Sequence, residues 1–181
     1  GLPYPGGPEV ERLALLWRQE THSTDSTNSL QASSEQARDK RQELINFPRP
    51  MIHDKNYDFS FSGLKTAVLY YLRDNPKILK PSAYRLKPLV CASFQQAAID
   101  VLVSKTMRTA KEFKARSILL CGGVASNKAL QKAFRFKIKD LGLKFFVPNK
   151  KFNTDNAVMI AAAAYLGKKY STKKALPNLG L

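Results

Sequence analysis

The sequence contains few of the side chains that bind transition metals or form disulfides, with two Cys and two His in 181 residues. Cys91 and Cys121 lie far apart, each within an apolar stretch, so no Cys-x-x-Cys pair is present for zinc or redox chemistry. We expect two buried thiols. His-Glu-x-x-His is also absent, which removes the usual motif of a zinc metalloprotease.

Long apolar runs and acidic residues are also scarce. No run approaches the roughly 18 residues of a membrane-spanning helix, and no signal peptide opens the chain. We therefore expect a soluble, cytoplasmic protein with no membrane partner. Thirty Lys and Arg against fourteen Asp and Glu give a net charge of +16, which indicates a polyanionic partner, with nucleic acid as the first candidate.

The composition divides the chain into three parts. Residues 1–18 combine a Pro/Gly turn with a helix, and residues 19–45 are rich in Ser, Thr, Asn and Gln, as in a polar flexible insertion. Residues 46–181 alternate strand and helix patterns and predict one α/β domain. The chain begins at Gly1 rather than Met, directly in a motif, which predicts that it continues a longer protein.

Apolar periodicity predicts the individual elements of this domain. Strands are expected over residues 57–62, 117–121 and 144–147, and helices over residues 64–72, 85–114, from about 126 onward, and 153–167. Ser62 is placed to cap the first of these helices. In such α/β sheets ligands lie beyond the carboxyl ends of the strands, so the turns that follow the strands are the candidate sites.

Two motifs toward the amino terminus each allow two interpretations. PGGP at residues 5–8 lets backbone amides approach a ligand at a helix start, or is a plain turn. SFSGLKT at residues 60–66 brings hydroxyls, a glycine turn and Lys65 together, which suits a phosphate or carboxylate. The alternative for SFSGLKT is a capped helix with a solvated lysine.

Two further motifs follow later in the chain. CGGVASN at residues 121–127 lacks the spacing of GxGxxG and of a Walker loop, and is either a nucleotide site containing Asn127 or a simple strand-to-helix turn. NTDNAVM at residues 153–159 places Asp155 before an alanine-rich helix. Asp155 is interpreted as a helix N-cap or, alternatively, as a metal ligand.

The motif strings together resemble one family. GLPYPGGPE, FPRPMIHDKNYDFSFSGLKTAV, GGVASNKAL and TDNAVMIA, in this order, are similar to the signature blocks of the bacterial tRNA N6-adenosine threonylcarbamoyltransferases, once called glycoproteases. The resemblance implies the carboxy-terminal part of a duplicated actin-like ATPase, or ribonuclease H-like, fold. It also implies transfer of threonylcarbamoyl from threonylcarbamoyl-adenylate to N6 of adenosine 37, with release of AMP, in tRNAs that read codons beginning with A.

The resemblance also implies roles for individual residues. Asp155 corresponds to a ligand of an active-site iron or zinc, Gly7 and Asn127 to adenylate contacts, and Glu11 to a less uniform acidic contact. Ser62 and Lys65 receive no role.

The remaining metal ligands in the family come from an HxxxH helix upstream, and His22 and His53 do not have that spacing. We therefore expect the chain alone to bind metal poorly and to transfer nothing.

Partners follow from the same resemblance and from the charge pattern. Four cations recur at three- and four-residue steps on one predicted helix face: Lys128, Lys132, Arg135 and Lys139. They predict contact with the tRNA backbone, although a solvated helix face has the same pattern. An actin-like partner subunit and an ATPase of the threonylcarbamoyl pathway are further expected partners. The alternative function is a catalytically silent, nucleotide-binding actin-like subunit.

Overall fold

A computed structural model describes residues 6–23, 43–80, 86–139 and 141–167. This part of the chain contains five α-helices and two short strands: α1 (Gly6–Ser23), α2 (Ser62–Asp74), α3 (Leu86–Glu112), β1 (Ser117–Leu119), α4 (Lys128–Ile138), β2 (Lys144–Phe146) and α5 (Ala157–Leu166). Single 3-10 turns occupy Pro76–Leu79, Gly123–Ser126 and Lys150–Phe152.

Helix α3 is the central element of the structure, and three buried clusters lie along it. Toward its amino-terminal half α3 packs on α1 through Cys91 and Ala92, which contact Leu13 and Ala14. A second cluster joins α3 to α2 and its flanking segments through Phe47, Leu64, Ile78, Val90 and Ala97. The third joins α3 to β1 and α4 through Ile99, Val103, Ala110, Ile118, Leu130, Phe134 and Ile138.

Helix α3 is the one helix in the described part of the chain that is long and apolar enough to cross a membrane, by length and composition only. Its length and hydropathy are sufficient for a bilayer span, whereas the sequence led us to expect no segment of that kind. In the structure, 61% of the relevant stretch is buried inside the protein. The buried stretch supplies residues to all three clusters along α3.

Strands β1 and β2 pair in parallel, with Ile118 opposite Phe145. Helix α4 connects them, which makes a β-α-β unit of the kind the sequence predicted for this region. The buried face of α4 is formed by Leu130, Phe134 and Ile138, which recur at four-residue steps. The predicted carboxyl end of this small sheet therefore consists of the loops after Leu119 and after Phe146.

Two expectations near the amino-terminal half are wrong. Residues 57–62 form no strand, because the Asp58 carbonyl accepts a hydrogen bond from the Lys105 ammonium instead of joining a ladder. Ser62 is the first residue of α2, and its N-cap is Phe61, which makes no side-chain cap bond.

Helix α1 also continues through residues 19–23, the start of the predicted insertion, and residues 24–42 lie outside the described part.

Helix α5 differs from the others because all of its residues are exposed. It begins where the asparagine side chain of Asn156 accepts a hydrogen bond from the Met159 amide at 3.0 Å. Large apolar side chains such as Ile160 and Tyr165 are 73% and 83% exposed. The helix predicted over 153–167 is thus present as a shorter element that makes no core contacts in the described part of the chain.

Candidate functional site

The site begins at the turn between β1 and α4, at the carboxyl end of β1. Gly122 has φ +86°, a conformation that strains any side-chain-bearing residue, so glycine is required there. A Cβ added at Gly122 or at Gly123 would meet nothing within 4 Å. Both glycines are exposed, so the backbone of this turn is open to a ligand.

Asn127 ends the turn and caps α4. Its side-chain Oδ1 accepts a hydrogen bond from the Leu130 amide at 2.9 Å, while its Nδ2 donates to Gln95 Oε1 on α3 at 2.8 Å. These two bonds fix the amide orientation. One N–H and one lone pair of the half-buried Asn127 side chain stay available to a ligand.

Glu11 connects α1 to the same place. Its Oε1 accepts a hydrogen bond from the backbone amide of Lys128, the first residue of α4, at 2.7 Å. Glu11 therefore supplies a negative charge at the positive end of the α4 dipole, which stabilises the helix start. In the part of the chain that the structure describes, Glu11 Oε2 has no hydrogen-bond partner.

Gly7 lies four residues before Glu11 on α1, so the two are one helical turn apart on the same face. Gly7 is exposed, and a Cβ added there would meet nothing within 4 Å. Pro5, the first residue of the PGGP motif, lies outside the described residues. The structure thus brings Glu11 and Asn127 to one helix terminus, with Gly7 on the adjacent turn of α1.

The loop after β2 reaches the same turn through Asn153. Its Nδ2 donates to Ser126 Oγ at 3.1 Å, and Asn153 is 5% exposed. Its Oδ1 is buried and has no hydrogen-bond partner among the described residues. Asn153 and Gln95 are functional candidates that the sequence did not single out, because each is identified only by a contact between distant segments.

Asp155 follows two residues later and is exposed. It does not cap α5, because Asn156 does, so the interpretation of Asp155 as an N-cap is wrong. Residues 6–23, 43–80, 86–139 and 141–167 contain no group of three or more His, Cys, Asp or Glu close enough to hold a metal. His53 is exposed on the loop before α2, and the side chain of His22 lies outside the description.

Lys65 and the SFSGLKT motif lie elsewhere. The exposed Lys65 lines a largely apolar cleft of about 430 Å³ between α1, α2 and α3, which also includes Leu13, Val68 and Phe94. The Ser62 carbonyl accepts a hydrogen bond from the Thr66 hydroxyl within the first turn of α2. No described contact joins this motif to the turn before α4.

Comparison of the sequence with known proteins matches the chain to one family. The model of the TsaD family, tRNA N6-adenosine threonylcarbamoyltransferase, matches residues 1–162. A protein of that name from Thermosipho africanus is 39% identical over 99% of this chain and 47% of its own length. Those from Desulfotalea psychrophila and Moorella thermoacetica are 43% and 41% identical over 91% of this chain and 41% of their own length.

The chain spans about half the length of the curated relatives it matches. The match includes every residue that the sequence singled out for the site, from Gly7 through Glu11 and Asn127 to Asp155. This chain belongs to the tRNA N6-adenosine threonylcarbamoyltransferase family.

Proposed function

We propose that the chain is the carboxy-terminal part of an enzyme that transfers threonylcarbamoyl from threonylcarbamoyl-adenylate to N6 of adenosine 37, in tRNAs that read codons beginning with A. In this reaction the N6 nitrogen bonds to the carbamoyl carbon, the bond from that carbon to the phosphate oxygen breaks, and AMP leaves while N6 loses a proton. The match of residues 1–162 to the family carries the proposal. The proposal includes a cytoplasmic location and the actin-like, ribonuclease H-like fold.

The turn before α4 supports binding of the adenylate part of the substrate. Gly122 and Gly123 leave open backbone onto which a flat base or ribose fits. Glu11 already occupies the amino terminus of α4, so a second negative charge there is disfavoured, whereas the hydroxyl donors of a ribose suit its free Oε2. We therefore assign Glu11, Asn127 and Gly7 to the nucleoside and not to the phosphate.

The metal stays an expectation from the family. Imidazole together with a carboxylate commonly holds iron or zinc. The ligand expected from this chain is the Asp155 carboxylate. The described residues do not complete such a site, so we derive no step through a metal from this chain. We expect the 181-residue polypeptide to bind metal weakly and to need histidines from outside it, with an actin-like subunit and an ATPase as further partners.

The test is formation of N6-threonylcarbamoyladenosine, measured by mass spectrometry of nucleosides from unmodified tRNA incubated with threonylcarbamoyl-adenylate. The chain alone should form none. The chain joined to the amino-terminal half of the Thermosipho africanus relative should form the modified nucleoside, and Asp155→Ala should abolish it while the exposed Asp74→Ala does not.

Transfer by the isolated chain would contradict the expected inactivity. A joined protein that binds AMP but transfers nothing would instead support the silent nucleotide-binding subunit.

A further inference from the structure

Helix α4 carries an exposed aromatic side chain in a strongly basic environment. Phe136 is 73% exposed, which makes it the most exposed phenylalanine in the part of the chain that the structure describes. Lys132 precedes it by four residues and Lys139 follows it by three, so both lie beside it on the helix surface. Together with Ala133 and Met107, which line the same cleft, the ring forms an apolar patch among cations, and such a patch is a candidate contact surface for another molecule.

Cations surround Phe136 on the surface of α4, and one of them, Arg135, also lies 5.3 Å from the centroid of the Phe145 ring. Each of the four stripe residues, Lys128, Lys132, Arg135 and Lys139, is exposed. Lys137, on the other side of Phe136, is exposed as well. In the described part of the chain none of these five side chains forms an ion pair, since the three ion pairs found there use Arg12, Arg49 and Arg73.

A cleft opens beside the ring. It has a volume of about 550 Å³ and lies between α4, α3 and the segment around Arg49. Phe136 and Ala133 line one side, and Met107 and the buried Val103 line the other. The volume lies in the range of about 300 to 1,000 Å³ that small-molecule pockets occupy.

Polar groups also line the same cleft. Asp100 forms an ion pair with Arg49 at 2.9 Å and accepts a hydrogen bond from Gln96 Nε2 at 2.8 Å. Ser104 and Lys137 also line the cleft and are exposed. The cleft thus combines apolar side chains with hydrogen-bonding groups, which suits a planar heterocycle with polar edges.

We propose that Phe136 and this cleft bind an unpaired nucleobase of the RNA, while the basic stripe on α4 contacts the phosphates on either side. The proposal rests on the proposed function, because it takes tRNA as the polyanion. Aromatic platforms between cations bind single-stranded nucleic acid because every base has a flat face that stacks on a ring. Paired bases are already stacked and are excluded from the ring, so the site selects loops over helices.

The test compares an RNA hairpin that has an unpaired loop with a fully paired RNA of the same length, by fluorescence anisotropy with the 181-residue chain. Phe136→Ala should weaken binding of the hairpin by about fivefold or more, as expected for the loss of one base stack. Binding of the paired RNA should not change. Phe113→Ala, which removes a phenylalanine that is 66% exposed at the end of α3, is the matched control and should change neither.

A second variant reports the contact directly. Phe136→Trp adds an indole at the surface, and its fluorescence should be quenched by the hairpin and not by the paired RNA. Trp17, the one native tryptophan, is half-buried against the α1–α3 cluster and provides the background signal. Because residue 136 is exposed, thermal unfolding of both variants should match that of the unchanged chain.

The outcomes separate this site from the proposed function. If Lys132→Gln weakens the hairpin complex and Phe136→Ala does not, the nucleobase site is wrong and the RNA-binding face stands. If neither RNA binds the unchanged chain, the nucleobase site and the RNA-binding face are both wrong. If polyglutamate displaces the hairpin and Phe136→Ala affects neither ligand, the surface binds acidic polypeptide and the nucleobase assignment is overturned.

Discussion

At the scale of single residues, Asn127 is both a structural and a candidate binding group. Its Oδ1 caps α4 at the Leu130 amide, and its Nδ2 bonds to Gln95 Oε1, so the same amide closes the helix and joins it to α3. Glu11 binds the neighbouring amide of Lys128. A ligand at this terminus therefore contacts side chains whose positions are already fixed by internal hydrogen bonds, which lowers the entropic cost of binding.

Substitution of Asn127 separates these roles. Asn127→Ala should lower the free energy of unfolding by about 1 kcal/mol through loss of the cap, measured by urea denaturation. Asn127→Ser keeps an acceptor for the Leu130 amide, adds no charge beside Glu11 and removes the amide donor to Gln95, so it should be less destabilising and should still weaken binding of AMP. Equal stability of the alanine variant and the unchanged chain would show that the capping bond contributes nothing.

The two cysteines differ in exposure, contrary to the expectation of two buried thiols. Cys91 is buried at the α1–α3 contact, and Cys121 is exposed at the turn before α4. Burial raises the pKa of the Cys91 thiol to about 11. At pH 8 iodoacetamide should therefore modify Cys121 and leave Cys91 unmodified in the folded chain, as measured by mass spectrometry of peptides.

The same shift has a consequence for stability. Between about pH 9 and pH 11 the thiol of the unfolded chain loses its proton while the folded Cys91 thiol keeps it, so the contribution of Cys91 to stability falls as the pH rises through this window. Cys91→Ala should remove that part of the pH dependence. Rapid labelling of Cys91 at pH 8 would mean that the α1–α3 contact opens readily.

At the scale of elements, α3 holds the loop before α2 through two basic residues one turn apart. The Lys105 ammonium is fully buried and donates to the Met51 and Asp58 carbonyls at 2.9 and 2.6 Å, and to Asn56 Oδ1 at 3.3 Å. Arg108 donates to the Asp54 carbonyl at 2.6 Å. The loop carbonyls are thus satisfied by side chains and not by a strand.

Removal of the Lys105 charge tests whether the loop before α2 depends on these hydrogen bonds. Lys105→Met keeps much of the volume of this buried side chain and removes the donor to the Met51 and Asp58 carbonyls and to Asn56 Oδ1, so the free energy of unfolding should fall by about 1 to 3 kcal/mol. Lys111→Met, at an exposed position of the same helix, is the control and should change it by no more than about 0.5 kcal/mol. A stability of Lys105→Met equal to that of the control would show that the loop does not depend on these bonds.

The elements with strong apolar periodicity could be predicted from the sequence. Helix α3 and the strands β1 and β2 are present at the expected places, and α4 lies where a helix was expected. The strand over residues 57–62 was wrong, because alternation of apolar and polar residues does not show whether a partner strand exists, and Lys105 takes the Asp58 carbonyl instead. Local spacing also could not show that Gln95 would bond to Asn127, since that contact joins separate elements.

At the scale of the whole molecule, the net charge of +16 makes association with a polyanion strongly dependent on salt. Each cation that neutralises a phosphate releases counterions, so the affinity for RNA falls as a power of the salt concentration. Because the stripe on α4 is exposed and free of ion pairs in the described part of the chain, Lys132 is expected to be one such cation.

The expected result is a steep, linear decrease of the logarithm of the tRNA association constant with the logarithm of the KCl concentration, measured by fluorescence anisotropy. Lys132→Gln should reduce the slope by about 1, as expected for the loss of one phosphate contact. Lys77→Gln removes an exposed lysine from a different element and should leave the slope unchanged. A flat dependence for the unchanged chain would rule out phosphate contacts, whereas equal slopes for the two variants would place the RNA on another surface than α4.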